Sequence, residues 1–165
     1  MKARIDFAKF LPKVMQALYP MAKYVNGSGL DHRLLELVKM RTSQLNGCAY
    51  CLDMHSKDAR AAGETEQRLY LLDAWRETPL YTERERAALE WTEAVTRVAD
   101  GHVPDEVYAR ARDHFSEEEL LSLTIAVIAT NSFNRLNIAF RPEVGDYRPG
   151  MFDLPKTAQA EIGAR

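Results

Sequence analysis

Cysteine is nearly absent from this chain: Cys48 and Cys51 are the only two among 165 residues. So few argue against a structural disulfide framework, and a close pair in a reducing compartment points instead to catalysis, redox sensing or metal binding. Net charge is nearly absent too. Lys+Arg 22 against Asp+Glu 24 leaves no strong field to draw in nucleic acid or an anionic membrane surface, so neither is expected as a partner. Long apolar runs are also missing. The N-terminal MKARIDFAKFLPKVMQAL is interrupted by Asp6, Lys9, Pro12 and Lys13, so neither a signal peptide nor a membrane span is legible and a cytoplasmic location is expected. No repeat or low-complexity tract stands out, and strand-type alternation is nearly missing.

The remaining pattern is helical. With 46% hydrophobic content, the chain suits one all-α domain over residues 1–165, a helical bundle able to bury its own core. A first helix or turn-rich arm is expected over roughly residues 6–24, ending near Asn26-Gly27-Ser28-Gly29. Asp31 can cap a helix carrying Leu34, Leu35, Val38 and Leu45 that stops at Asn46-Gly47. The segment CAYCLDMHSKDARAAG follows, and Thr65 can open a further helix through Leu69, Leu71, Leu72 and Trp75, broken at Pro79. Thr82 with Glu85 and Ser116 with Glu119 have capping-box spacing. The segment LLSLTIAVIA is apolar on nearly every side, which predicts a place in the middle of the bundle or at a subunit contact, with polarity returning at Asn131. Residues 142–165 lack a helical period and read as a tail across the surface or a neighbouring subunit. Trp75 and Trp91 are expected in the core, and His32, His102 and His114 at the surface.

The chemistry concentrates between Glu36 and His55. Cys48 and Cys51 are three residues apart and Cys51 and His55 four, so on one helix all three side chains share a face. A helix starting at the Asn46-Gly47 break puts both thiols in its first turn, where unpaired N–H groups and the macrodipole favour a thiolate. A lowered thiol pKa is the expectation, and thiolate is the nucleophile of peroxide reduction and of disulfide exchange. His55 suits a base or proton carrier, with Glu36 on the preceding helix to orient it. Two other readings use the same residues. The cysteines can be small buried hydrophobes, or two thiolates and an imidazole can supply three ligands of a zinc site, although no second CxxC or HxxxH offers the fourth. Leu52 after the second cysteine argues against haem attachment, and no βαβ setting for a thioredoxin motif is readable.

The stretch ELVKMRTSQLNGCAYCLDMHSKDARAAG, from Glu36 to Gly63, resembles the core motif of the carboxymuconolactone decarboxylase and alkylhydroperoxidase D superfamily, in which a Glu precedes CxxC and a His stands four residues on. Glu36, Cys48, Cys51 and His55 fill the four positions, and the similarity extends to NSFNRLNIAFRP at Asn131–Pro142. The resemblance implies an oligomeric all-helical bundle, a trimer, a hexamer or a related ring. It also implies hydroperoxide as substrate, Cys51 as the attacking thiol, Cys48 as its resolving partner, and Glu36 with His55 as a proton relay. No organic cofactor is expected, and the reductant would be an external dithiol, of which lipoyl groups are the family's best-known. One position departs from the pattern: Tyr50 stands before the second cysteine, where the family's peroxidases carry a His counted in the relay. A tyrosine donates a hydrogen bond but is a poor base at neutral pH. That departure keeps open disulfide exchange with a partner, or a non-enzymatic redox sensor using the same cysteines. The decarboxylase branch does not use the cysteine pair.

Overall fold

The computed structural model describes residues 2–152. Its described residues form an all-α bundle without a strand: α1 (Phe7–Asn26), α2 (His32–Asn46), α3 (Ala49–Ala61), α4 (Glu66–Leu71), a 3₁₀ segment (Leu72–Glu77), α5 (Glu83–Thr96), α6 (Val98–Gly101), α7 (Asp105–His114) and α8 (Glu117–Phe140). No described helix is long and apolar enough to cross a membrane.

Helix starts follow their capping chemistry. Asp31 accepts from the amides of Arg33 and Leu34 at 2.7 and 3.1 Å, satisfying N–H groups that have no partner inside the helix. Thr82–Glu85 and Ser116–Glu119 are both complete, reciprocal capping boxes. The expected helix after Thr65 is shorter than its apolar spacing suggests. It tightens into 3₁₀ at Leu72 and kinks at Ala74, with Leu72 and Trp75 buried at the turn. Polarity at Asn131 does not end α8, which continues to Phe140 because the asparagines beyond it find partners on other helices.

Helix α2 is the axis of the bundle. Its Leu34, Leu35 and Val38 join one apolar cluster with Ala88, Trp91, Leu123 and Val127. Its Leu37 and Met40 join another with Leu69, Leu72, Trp75 and Leu89. The third stripe of the same helix is polar: Glu36, Lys39, Ser43 and Asn46 recur at helical spacing and are left to face α3 and α8. Thus the packing of apolar residues on two sides of α2 aims Glu36 at the face where the cysteines arrive. Helix α8 buries Leu120, Leu123, Ala126 and Val127 but leaves Leu121, Ile128 and Ile138 exposed, so it is not enclosed on every side within the monomer.

The segment after Arg141 returns over its own chain as a strap. Lys57 Nζ donates to the carbonyls of Gly145 and Tyr147 at 2.9 and 3.0 Å, and the Tyr147 hydroxyl donates to Asp58. The part of the expected tail from 153 to 165 lies outside the described residues.

Candidate functional site

Gly47 is what brings the site together. It takes the left-handed conformation, φ 65° and ψ 35°, ending α2 and letting the chain reverse into α3 through a single further residue, Cys48. Cys48 is the N-cap of α3 and Cys51 its third residue, so Cys51 lies in the first turn and Cys48 just ahead of it. Cys48, Cys51, His55 and Ala59 make the buried stripe of α3. Both thiols are reduced, and both are buried.

Around Cys51 the groups favour negative sulfur. A hydrogen bond from the Cys48 thiol lowers the Cys51 pKa. Burial opposes it, but the Asn137 amide and the charge of His55 add to the lowering, leaving a value of about 6 against an ordinary 9.0. Asn137 Nδ2 donates to Cys51 Sγ at 3.3 Å. Cys48 moves the other way: holding its proton between the two sulfurs, together with burial and the neighbouring charge, raises its pKa. The two thiols are thereby divided into one thiolate and one thiol.

Glu36 and His55 meet as the sequence spacing suggests. His55 Nδ1 lies 3.0 Å from Glu36 Oε2, and Lys39 Nζ donates to the other oxygen at 2.8 Å. Burial alone would raise the Glu36 pKa, but the hydrogen bond from His55 and the charge of Lys39 hold it at about 2. An ionised carboxylate can only accept, so His55 carries hydrogen on Nδ1 and exchanges protons at Nε2. Asp58 is the third member of this corner: one ligand atom each from Glu36, His55 and Asp58 falls within 4.8 Å of the others. Lys39 on Glu36 and the Tyr147 hydroxyl on Asp58, at 2.8 and 3.0 Å, already satisfy the two carboxylates. The corner is therefore compensated by protein groups, a poor setting for a cation.

Two cavities flank the thiols. An open cleft of about 640 Å³ is lined by Gly47, Cys48, Tyr50, Asn137 and Arg141, and so touches the Cys48 side of the pair. A more apolar cavity of about 300 Å³ between α1, α3, α8 and the strap is lined by Phe7, Phe133, His55, Asp58 and Tyr147 among others. Tyr50 and Asn137 line both cavities and form the partition between them. Burial and the neighbouring Cys51 charge raise the Tyr50 pKa, so it is a neutral phenol and a donor.

Of the residues singled out by sequence, Glu36, Cys48, Cys51 and His55 converge here. His32 is largely exposed, 3.9 Å from Glu36, and His102 is exposed on a far turn. Sequence reasoning passed over Asn137, Asn134 and Asp58. A signal for the asparagines was present, since Asn131, Asn134 and Asn137 recur every three residues on an apolar helix and so share a stripe that must be partnered when buried. Asn46 donates to Asn131 and Asn134 at 3.0 and 2.9 Å, and Asn134 donates to Ser43 at 3.2 Å.

Comparison with known proteins agrees with this architecture. Bacillus subtilis YdfG, an uncharacterised protein, is 44% identical over 139 residues, 84% of this chain and 95% of that protein. A solved structure from Agrobacterium tumefaciens, of a protein of unknown function assigned provisionally to antioxidant defence as AhpD, is also 44% identical. It superposes with a TM-score of 0.84 over 88% of this chain and 100% of that one. A peroxidase-related protein with an alkylhydroperoxidase AhpD core, from Ralstonia eutropha, shares the fold at 20% identity and a TM-score of 0.73, over 88% of this chain and 77% of that one. With residues 12–94 matching its family pattern, the chain belongs to the carboxymuconolactone decarboxylase family and takes the alkylhydroperoxidase D-like fold.

Proposed function

We propose that the protein is a dithiol-dependent peroxidase in which Cys51 reduces hydroperoxides and Cys48 resolves the product. The observation that carries this reading is the placement of the pair: Cys51, in the first turn of α3, accepts from Asn137 and stands one turn from Cys48 and from the Glu36-bound His55, a setting that lowers the Cys51 pKa and raises that of Cys48. In the first step the Cys51 thiolate attacks the terminal peroxide oxygen, the O–O bond breaks, and the departing alkoxide takes a proton from His55 Nε2 to leave as an alcohol. Cys51 is now a sulfenic acid. Cys48 attacks that sulfur, its proton goes to the departing hydroxide, and water and a disulfide result. Glu36 acts by fixing the His55 tautomer.

An external dithiol restores the pair, transferring two electrons and becoming a disulfide itself. Cys48 faces the open cleft, so attack there expels Cys51, whose low pKa makes it the better leaving group. The cleft is roomy enough for an extended lipoyl-type donor. Self-association into a trimer or hexamer is part of the same proposal and is read by light scattering. A reducing compartment such as the cytoplasm suits the cycle.

A second reading is favoured by one observation. Tyr50 stays neutral in the partition between the cavities, where it can donate but not take up a proton, and the dithiol would then exchange disulfides or sense redox state without peroxide turnover. Steady-state kinetics separate the two. With hydroperoxide and a reduced dithiol, wild-type protein turns over and Cys51→Ser does not; a wild-type rate no better than that of the variant removes the peroxidase reading.

A further inference from the structure

The oxidative half of the cycle above takes up one proton, and the reductive half gives one back when the dithiol loses two protons and only Cys48 regains one. In that oxidative half, Cys51 thiolate, Cys48 thiol and hydroperoxide become disulfide, alcohol and water only if one proton is delivered to the departing alkoxide. Glu36 cannot supply it. Its carboxyl is buried and held ionised down to about pH 2, with His55 and Lys39 on its two oxygens. Cys51 is fully buried and His55 nearly so, and the cavity that His55 lines is shared with Asp58 and Tyr147.

Asp58 has the placement that Glu36 lacks. It follows His55 by three residues on α3, so its side chain rises beside the imidazole. Its carboxylate lies within 4.8 Å of ring nitrogen and of Glu36, a gap that one hydrogen-bonded water spans. It is half-buried, and it lines the apolar cavity together with His55 and Tyr147. Burial raises its pKa, Tyr147 and the His55 charge oppose that, and the Glu36 charge adds to it; the net shift is upward, towards a group that can be protonated.

We propose that Asp58 is a positioning residue that passes protons from solvent to His55, with Tyr147 of the strap holding its carboxyl in place. After His55 Nε2 has given its proton to the alkoxide, the Asp58 carboxylate takes a proton from solvent and hands it to the imidazole, directly or through one water, and so returns to its carboxylate form. No electrons move in this step. The charged and titratable groups around His55 are Glu36, Lys39 and His32 on α2, Cys51, Tyr50 and Asp58 on α3, Tyr19 on α1 and Tyr147 on the strap. Of the two described carboxyls grouped with the ring, Glu36 is buried and Asp58 is half-buried. The enzymatic role rests on the peroxidase reading.

The test uses Asp58→Asn and Asp58→Glu in the full chain. Asp58→Asn is expected to lower kcat about tenfold with KM little changed, less than the ~10²–10⁴-fold of a group that touches the reacting atom. Asp58→Glu is expected to recover most of the loss. Rising concentrations of imidazole buffer, a small proton donor, should accelerate Asp58→Asn and leave wild type unaffected. A second readout needs no turnover: exchange of the His55 imidazole proton with water, followed by NMR, should slow in Asp58→Asn. If wild type itself reduces no hydroperoxide, the peroxidase reading fails while the exchange rate still decides the link between Asp58 and His55. Unchanged imidazole exchange in a folded Asp58→Asn protein, or an activity loss that neither buffer nor Asp58→Glu repairs, overturns the proposal.

Discussion

The side-chain amide of Asn137 donates to the sulfur of Cys51 at 3.3 Å, joining residues 86 positions apart at the meeting of α8 and α3. Both groups are buried, which strengthens a hydrogen bond to a charged sulfur. A hydrogen bond to a charged acceptor is worth roughly 1.5–3 kcal/mol, and about 1.36 kcal/mol corresponds to one pKa unit. Asn137→Ala should therefore raise the Cys51 thiolate midpoint by about one to two units. Asn137→Asp should raise it further, because a carboxylate replaces the donor with a like charge. Ultraviolet thiolate absorbance measures the midpoint without requiring a reagent to reach the buried sulfur. A midpoint in Asn137→Ala equal to that of wild type would show that the amide does not stabilise the anion.

The thiol pair also sets a pH dependence of stability whose sign can be worked out. Unfolded thiols titrate near the ordinary value of 9.0, whereas folded Cys51 titrates at about 6 and folded Cys48 above 9.0. Between about 6 and 9.0 the unfolded chain binds more protons at this pair than the folded one, so stability rises with pH over that interval. Above 9.0 the folded chain keeps the Cys48 proton that the unfolded chain loses, so the contribution falls again. Glu36 adds an acid limb: its stabilisation is present above 4.5 and is lost as pH falls towards about 2. Urea unfolding of reduced protein across pH, compared with a Cys48→Ser/Cys51→Ser variant, should show the rise between 6 and 9 only in the wild type.

Much of this site was legible in the sequence because its geometry is local. Cys48, Cys51 and His55 share a helical face by spacing, and Gly47 marks where that helix can begin. Glu36 needed only a tight reversal between consecutive helices to come within reach. The Asn137 stripe was visible in its spacing, but its partner was not, since the contact depends on α8 crossing α3 far away in the chain. Polarity does return at Asn131, as the sequence suggests, without ending the helix. A polar residue usually marks a helix surface or end, but here three asparagines at spacing three find partners on α2, α3 and α5, and the helix runs on. Helix α1 likewise runs through Pro12 and Pro20 and packs against α8. Helices α6 and α7 carry fewer buried residues than their neighbours, and their local signal was correspondingly weak.

Replacing Cys48 with serine should separate reaction with peroxide from turnover. A serine hydroxyl still donates to the neighbouring sulfur, so Cys51 retains a stabilised anion and reacts once. Without a second thiol the sulfenic acid has no partner for disulfide closure. Expected is consumption of a single equivalent of hydroperoxide, a sulfenic acid trapped by dimedone in the mass spectrum, and no steady-state rate. Sustained turnover by Cys48→Ser at the wild-type rate would mean that the external thiol, rather than Cys48, resolves Cys51.

Lys57 ties the strap to α3 and so sets how firmly the cavity beside His55 is closed. Its ammonium donates to Gly145 and Tyr147 carbonyls at 2.9 and 3.0 Å while pairing with Asp53 at 2.9 Å. The group is partly exposed, so each bond is worth less than in a dry interior, and the sum is about 1–3 kcal/mol. Lys57→Met keeps the aliphatic stem and removes all three bonds. Amide hydrogen exchange over residues 142–152 should then accelerate by about tenfold or more, since 1.4 kcal/mol is a factor of ten in an opening equilibrium. Core amides of α2 and α5, buried in the two apolar clusters, should keep their protection. Tyr147 would still reach Asp58 from a loosened strap part of the time, so activity should fall less in Lys57→Met than in Asp58→Asn. Equal exchange in the strap of both proteins would show that the bond from Tyr147 to Asp58 holds it without Lys57.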